Sequence, residues 1–540
     1  MSIYNFGYAT EGPENRFATD EEFKRASIVA KENSPSLERA SVVMMDMGEG
    51  EVAMGKEELH SFVIGESGCG KTRRIVIPTI DMVSRTRSQS MVIADPKGEI
   101  YEATAATLKK RGYKVYRFDL TDPSKSQKWN PLALIASLYA KGGDDETKGR
   151  LLLKEVIEVL KTGIHSENDA FWEQIAGDIV NGIALTILKE GKPEDLTFRN
   201  IEMNLRKIFD DLPQFSEYYD KEEDDSPVKK YLSALKADED SNRTVYSLKI
   251  ETKTMLSPFC ADENILSLFD TNTIDVTTLG KEKVALFLIL SDSSKAMYPV
   301  ATVFIRQLYS VLLEDADSRP EKRLRVPVFF ILDEFANFTR LPDIDCMLTA
   351  ARSRNIRFML VCQSMQQLNE NYGDSIAEIL MSNCRIWIYM NSRDITFLNR
   401  LSDSMGRVYT RFTNRELPLV SISKLQHMDE GEVIVLNDRC FPMIGYVKDY
   451  SEYCLLDKGR IKDDSVEISN GQEEERKPLD LMAIWADRFE FRLDRMDIGQ
   501  SECTKVDFDE LDSKWYENAK KYYGTYFGSQ GYQDDEDINF

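Results

Sequence analysis

The chain is poor in the residues that build soft metal centres and covalent staples. Its 540 residues include three histidines, His60, His165 and His427, and they form no ligand pattern. Eight cysteines are scattered at 69, 260, 346, 362, 384, 440, 454 and 503 without paired spacing. That excludes a disulfide framework and predicts reduced, cytoplasmic thiols. No apolar run approaches the roughly 20 residues of a membrane helix. The longest, Val284–Leu290 and Val326–Leu332, have the length of buried strands, and the polar, acidic N-terminus carries no signal-peptide pattern. Basic residues are in deficit: 69 Lys and Arg stand against 92 Asp and Glu, a net charge of −23. A uniformly acidic surface repels DNA and anionic membranes, so any nucleic-acid contact requires a local basic surface.

What the chain does have is enough apolar residue, 42%, to bury cores in two to four domains. The most specific segment is Gly65-Glu66-Ser67-Gly68-Cys69-Gly70-Lys71-Thr72, a complete G-x-x-x-x-G-K-T phosphate loop after the apolar run Phe62-Val63-Ile64. The spacing suits the phosphates of a nucleotide, without saying which. The glycines turn backbone N–H groups toward the β-phosphate, Lys71 reaches the β/γ oxygens, and the Thr72 hydroxyl ligates Mg²⁺.

Periodicity divides the chain into five parts. Residues 1–54 are an N-terminal segment, largely polar and irregular to 39, with a hairpin over 41–54. Residues 55–136 begin the nucleotide-binding domain: a strand at 60–64, a helix over 72–85 that Pro78 kinks or divides, a strand at 91–94, a helix at 99–110 closed by Gly112, and a strand at 114–118. Strand–helix–strand in this rhythm predicts a parallel sheet. Residues 137–270 carry helical periodicity and charged linkers, an inserted all-α domain in which Phe171-Trp172 reads as core. Residues 271–455 resume the sheet, with helices over 341–354 and 373–382. Residues 456–540 form an acidic tail, its last 20 residues flexible.

Val328–Leu332 delivers Asp333 and Glu334 at the C-terminal end of a buried strand, where open parallel sheets place their ligands. Asp333 is expected to hold Mg²⁺ through water and Glu334 to polarise the attacking water. Gln363, ending the next strand, faces the same crevice, where its amide reads the γ-phosphate or orients the water. Arg352, 18 residues past Glu334, is out of reach of its own phosphates but not of a neighbour's in a ring; Arg354 has an equal claim. Asp95-Pro96-Lys97-Gly98-Glu99 ends the strand beside the phosphate loop. It is a turn with a helix start or a structural part of the site.

These segments, with Trp129-Asn130-Pro131-Leu132, Ala351-Arg352-Ser353-Arg354, Gln363-Ser364 and Asn383-Cys384, resemble those of the type IV coupling proteins. These are the TraG-like conjugative DNA-transfer ATPases of type IV secretion systems. The resemblance covers about residues 55–450. It implies an α/β fold, a RecA-like P-loop NTPase domain with a mainly parallel sheet plus the inserted all-helical domain, assembled as a homo-hexamer. It implies the cofactors ATP and Mg²⁺, a relaxase or relaxosome partner, DNA at the ring pore and contact with secretion-channel subunits. It also implies catalytic roles for Lys71, Glu334, Gln363 and Arg352. Most members begin with membrane-spanning helices, which this sequence does not show; the expectation is either a separate anchor protein that holds the chain at the inner face of the cell membrane, or a truncated or atypical form. Two other functions compete: a HerA/FtsK-like DNA translocase outside conjugation, and a substrate adaptor whose nucleotide regulates binding without driving movement.

Overall fold

The computed structural model describes residues 15–162, 170–236, 242–410, 415–456 and 477–489. The last 20 residues, for which the sequence predicts a flexible tail, lie outside them, as do His165 and Cys503. The strands are β1 (Ile28–Lys31), β2 (Val43–Gly48), β3 (Glu51–Met54), β4 (His60–Gly65), β5 (Ser90–Asp95), β6 (Lys114–Asp119), β7 (Val284–Ile289), β8 (Val328–Leu332), β9 (Ile356–Cys362), β10 (Cys384–Asn391), β11 (Arg407–Thr410), β12 (Arg415–Pro418), β13 (Glu432–Asn437) and β14 (Met443–Tyr446).

Twelve of them form one sheet in the order β1-β3-β2-β14-β13-β10-β4-β9-β8-β5-β7-β6. The seven from β10 to β6 run parallel, and β13, β14 and the β1–β3 group add an antiparallel flank. Strands β7 and β8 are apolar along their whole length because both faces are covered. Val63, Met91 and Ile93 pack on one face with Val76, Ile80 and Leu108. Phe62, Ile64, Val92 and Ala94 pack on the other.

The second face carries helix Tyr298–Asp317 and the helices of the 133–267 region. A ring cluster joins them to the sheet: Phe118 and Trp129 lie 4.8 and 4.5 Å from Phe304. Asn130 fixes the corner by donating to Leu196 O at 3.1 Å and accepting from Leu132 N at 2.9 Å. Phe171 and Trp172 are half-buried against this same core.

Several expectations change. The 72–85 helix opens as a π-turn over Thr72–Val76 and becomes α-helical at Ile77–Ser84. Pro78 has no N–H for the i→i−4 ladder, so the wider turn precedes it and Ile77 N reaches back to Thr72 O. The 341–354 helix is α-helical only over Ile344–Ala351. It tightens to a 3₁₀ turn at Arg352–Arg354 and stops at Asn355, φ 62°. Within the segment read as irregular, Thr19 and Glu22 form a capping box that starts a helix, and β1 follows.

The tail also takes part in the fold. Residues Leu481–Phe489 form a helix against the inserted helices, with Leu481 and Trp485 fully buried. Trp485 lies 6.0 Å from Phe215 and 6.1 Å from Tyr218. Asn204 donates to Leu479 O and accepts from Leu481 N, both at 2.8 Å, and Arg488 pairs with Glu190 and Glu222. Amphipathic spacing in nine residues is too short a signal to stand out from an acidic background.

Candidate functional site

The C-terminal ends of β4, β9 and β8 stand side by side, and the expected residues of the crevice come from them. The phosphate loop follows β4. Gly68 and Gly70 adopt φ 83° and 88°, a region that side chains with a Cβ avoid. Gly65 is required for space: a Cβ there would meet Cys69 Sγ at 2.6 Å and Met390 Cβ at 3.1 Å. Lys71 is buried and turned inward, donating to Gly65 O and, at 3.0 Å, to Glu66 O. Glu66 N donates to Asn391 O at 3.1 Å, which fastens the loop to β10. The Ser67 side chain is exposed.

Asp333 and Glu334 follow β8. The Thr72 hydroxyl donates to Asp333 Oδ2 at 2.8 Å, joining the loop to β8. Burial pushes the Asp333 carboxyl up to about 6, against the opposing pull of the Thr72 hydrogen bond and the Lys71 charge. Glu334 sits at φ 52°, a left-handed conformation unusual for glutamate. Its side chain is gripped from two sides: Gln363 Nε2 donates to Oε1 and Asn337 Nδ2 to Oε2, each at 2.9 Å. Gln363 therefore stands where it was expected, one strand from the loop. Asn337 was not singled out, although a side-chain amide one turn after Asp-Glu is a legible signal.

Asp95 is displaced from its expected place. β5 does not lie beside the phosphate-loop strand, because β9 and β8 come between them. The crossover from β4 skips two positions, which the later strands fill. This puts Asp95 next to Asp333: Ala94 pairs with Leu332 in the last register step of β5 and β8. Burial pushes the Asp95 carboxyl up to about 6, opposed by the amides of Tyr101, Ile100 and Lys97.

Arg352 is not brought to this crevice. It precedes β9, at the opposite end of the strand from Gln363, about 20 Å away for seven residues of strand rise. It is exposed and makes no hydrogen bond or ion pair among the described residues. Arg354 is held instead by Asp317 at 3.1 Å. Two arginines that start the helix after the loop are tied to the segments on either side of β13 and β14: Arg74 to Glu430, just before β13, at 2.6 Å, and Arg73 to Asp449, after β14, at 2.7 Å.

Residues 16–416 match the family described as Type IV secretory system Conjugative DNA transfer. Protein VirD4 of Rhizobium radiobacter is 25% identical over 424 residues, covering 75% of this chain and 56% of that protein. The conjugal transfer protein TraG of Escherichia coli is 24% identical over 345 residues, covering 61% of this chain and 52% of that protein. The chain spans about half the length of the curated relatives it matches. A solved structure of the plasmid coupling protein TrwB in complex with ADP and Mg²⁺ superposes with a TM-score of 0.58 at 16% identity, covering 82% of this chain and 94% of that one. The fold is thus shared with a coupling protein, and with three quarters of its length inside the family match, this chain belongs to the conjugative DNA transfer family of the type IV secretory system.

Proposed function

We propose that the chain is an ATP-hydrolysing coupling protein that recruits a relaxase–DNA substrate and drives its transfer through a type IV secretion channel. The observation that carries this reading is the junction of three strand ends. Thr72 ties the phosphate loop to Asp333, while Gln363 and Asn337 hold Glu334 beside it. The residues fit ATP and Mg²⁺. A hydroxyl and a buried carboxylate are the hard oxygen donors this cation takes, so Thr72 and Asp333 would hold it. Bound there, Mg²⁺ would neutralise charge on the β- and γ-phosphates.

The chain's own residues supply the rest. The loop amides from Gly65 to Thr72 cradle the phosphates, and Lys71 places a positive charge on the β/γ oxygens. Each Glu334 oxygen commits one lone pair to an amide and keeps another for the attacking water, so the carboxylate is both fixed and able to take a proton. Arg352, with no partner among the described residues to release, suits action in trans on a neighbour's γ-phosphate in a hexameric ring with DNA at its pore.

The test is phosphate release by the purified chain with and without single-stranded DNA, beside Lys71→Ala. We expect turnover that DNA stimulates and that the variant abolishes. Turnover indifferent to DNA would favour a nucleotide-regulated adaptor over a motor. Wild-type turnover in Lys71→Ala would reject the site.

A further inference from the structure

We propose that Asp95 is a second carboxylate of the magnesium site, accepting a hydrogen bond from a metal-bound water on Oδ1. This rests on the nucleotide reading of the crevice and deepens it. The register of β5 on β8 sets Asp95 beside Asp333 on strands about 4.8 Å apart. Both are buried, at 0% and 4% exposure. Among the described residues neither has an ion-pair partner within 4 Å.

The two oxygens of Asp95 are used unequally. Oδ2 accepts from Tyr101 N at 2.8 Å, in the first turn of helix Glu99–Lys110, which Gly98 starts at φ 74°. Oδ1 is buried and has no hydrogen-bond partner among the described residues. A buried carboxylate oxygen without a donor is costly and calls for a water or an ion. Two buried carboxylates side by side at the ends of adjoining strands ask for the same remedy. Mg²⁺ gives up its waters reluctantly and is held by one or two carboxylates together with phosphate oxygens. Thr72, Asp333 and Asp95 supply that set from three adjoining elements, with Asp95 placed to take a coordinated water. A capping role alone accounts for Oδ2 and leaves Oδ1 unexplained.

The test uses the full chain, Mn²⁺ as a paramagnetic probe and a non-hydrolysable ATP analogue. Asp95→Asn keeps an oxygen for the Tyr101 amide and loses the charge. In the variant we expect Mn²⁺ affinity, read by electron paramagnetic resonance with the analogue present, to fall about ten- to a hundred-fold. Analogue affinity in excess chelator should not change. The metal-free variant should melt at a higher temperature than wild type, since one of two facing charges is gone, and Mg²⁺ with analogue should raise that temperature less. Asp333→Asn serves as the positive control. Unchanged Mn²⁺ affinity overturns the proposal. So does a metal-free variant that melts lower or fails to fold, because Asp95 is then only a helix cap. A wild-type chain that binds neither analogue nor Mn²⁺ instead overturns the nucleotide reading itself, and Asp95's role with it.

Discussion

Glu334→Gln separates holding a nucleotide from hydrolysing it. Glu334 receives amide protons on both oxygens, from Gln363 and from Asn337. Glutamine keeps one acceptor and sets a donor against one of those donors. Turning the Gln363 amide end for end presents its oxygen and restores the second bond. The structural cost is then the exchange of charge-assisted hydrogen bonds for neutral ones, about 1–2 kcal/mol. The effect on rate is larger. A positioned proton acceptor contributes about 10²–10⁴ in rate, or roughly 3–5 kcal/mol of barrier at about 1.4 kcal/mol per decade. The variant should bind an ATP analogue within about threefold of wild type, a shift worth under 1 kcal/mol. It should release phosphate about 100- to 10,000-fold more slowly. Equilibrium binding and single-turnover phosphate release measure the two quantities separately. Turnover within tenfold of wild type would refute the assignment of Glu334 as the group that takes the water's proton. Loss of analogue binding would show that the clamp's purpose is to hold the loop.

Three further outcomes follow from the geometry. Arg352→Ala should bind ATP normally and hydrolyse it about 10³-fold or more slowly, and mixing it with Lys71→Ala subunits should restore activity; no recovery in mixtures shown to co-assemble counts against a shared site. Trp485→Ala removes an indole buried against Phe215 and Tyr218, a truncation worth about 3–5 kcal/mol. A nine-residue helix has little stability alone, so it should undock. Amide exchange at 481–489 should quicken while the sheet stays protected, and unchanged exchange would refute this. Asp333→Asn should change the pH dependence of stability. Burial raises the folded carboxyl from 3.8 to about 6, so its stabilising contribution is full at low pH and is lost as pH rises through about 6. Relative to wild type, the metal-free variant should gain up to about 3 kcal/mol between pH 4 and 7 by chemical denaturation, and a flat difference would show that the burial cost is not felt.

The phosphate loop was legible because its function depends on local backbone shape: glycines at fixed spacing, then Lys71 and Thr72, specify a turn that contacts within eight residues complete. The buried strands were legible as unbroken apolar runs, since a strand covered on both faces has no polar positions to interrupt it. Asp333, Glu334 and Gln363 followed from one topological rule, that parallel strands gather their C-terminal ends into one crevice. Asn337 and the tail helix escaped. A single amide and a nine-residue amphipathic pattern gain meaning only from what they touch, Glu334 in one case and Phe215, Tyr218 and Asn204 in the other.

The sequence by itself determined the loop, the strand that carries the acidic pair, and the alternation of strands and helices that calls for a parallel sheet. These are properties of contiguous residues, set by backbone sterics, periodicity and burial. Only the tertiary structure decided which strand ends meet. Strand order is fixed by how helices cover both faces of the sheet, and no local pattern encodes it. That order moved Asp95 from beside the phosphate loop to beside Asp333, where two buried carboxylates share one crevice. It also bound Arg354 to Asp317 while leaving Arg352, at the far end of β9, without a partner among the described residues. Two arginines equivalent in sequence thus differ in what they can reach, because packing supplies a carboxylate to one of them and solvent to the other.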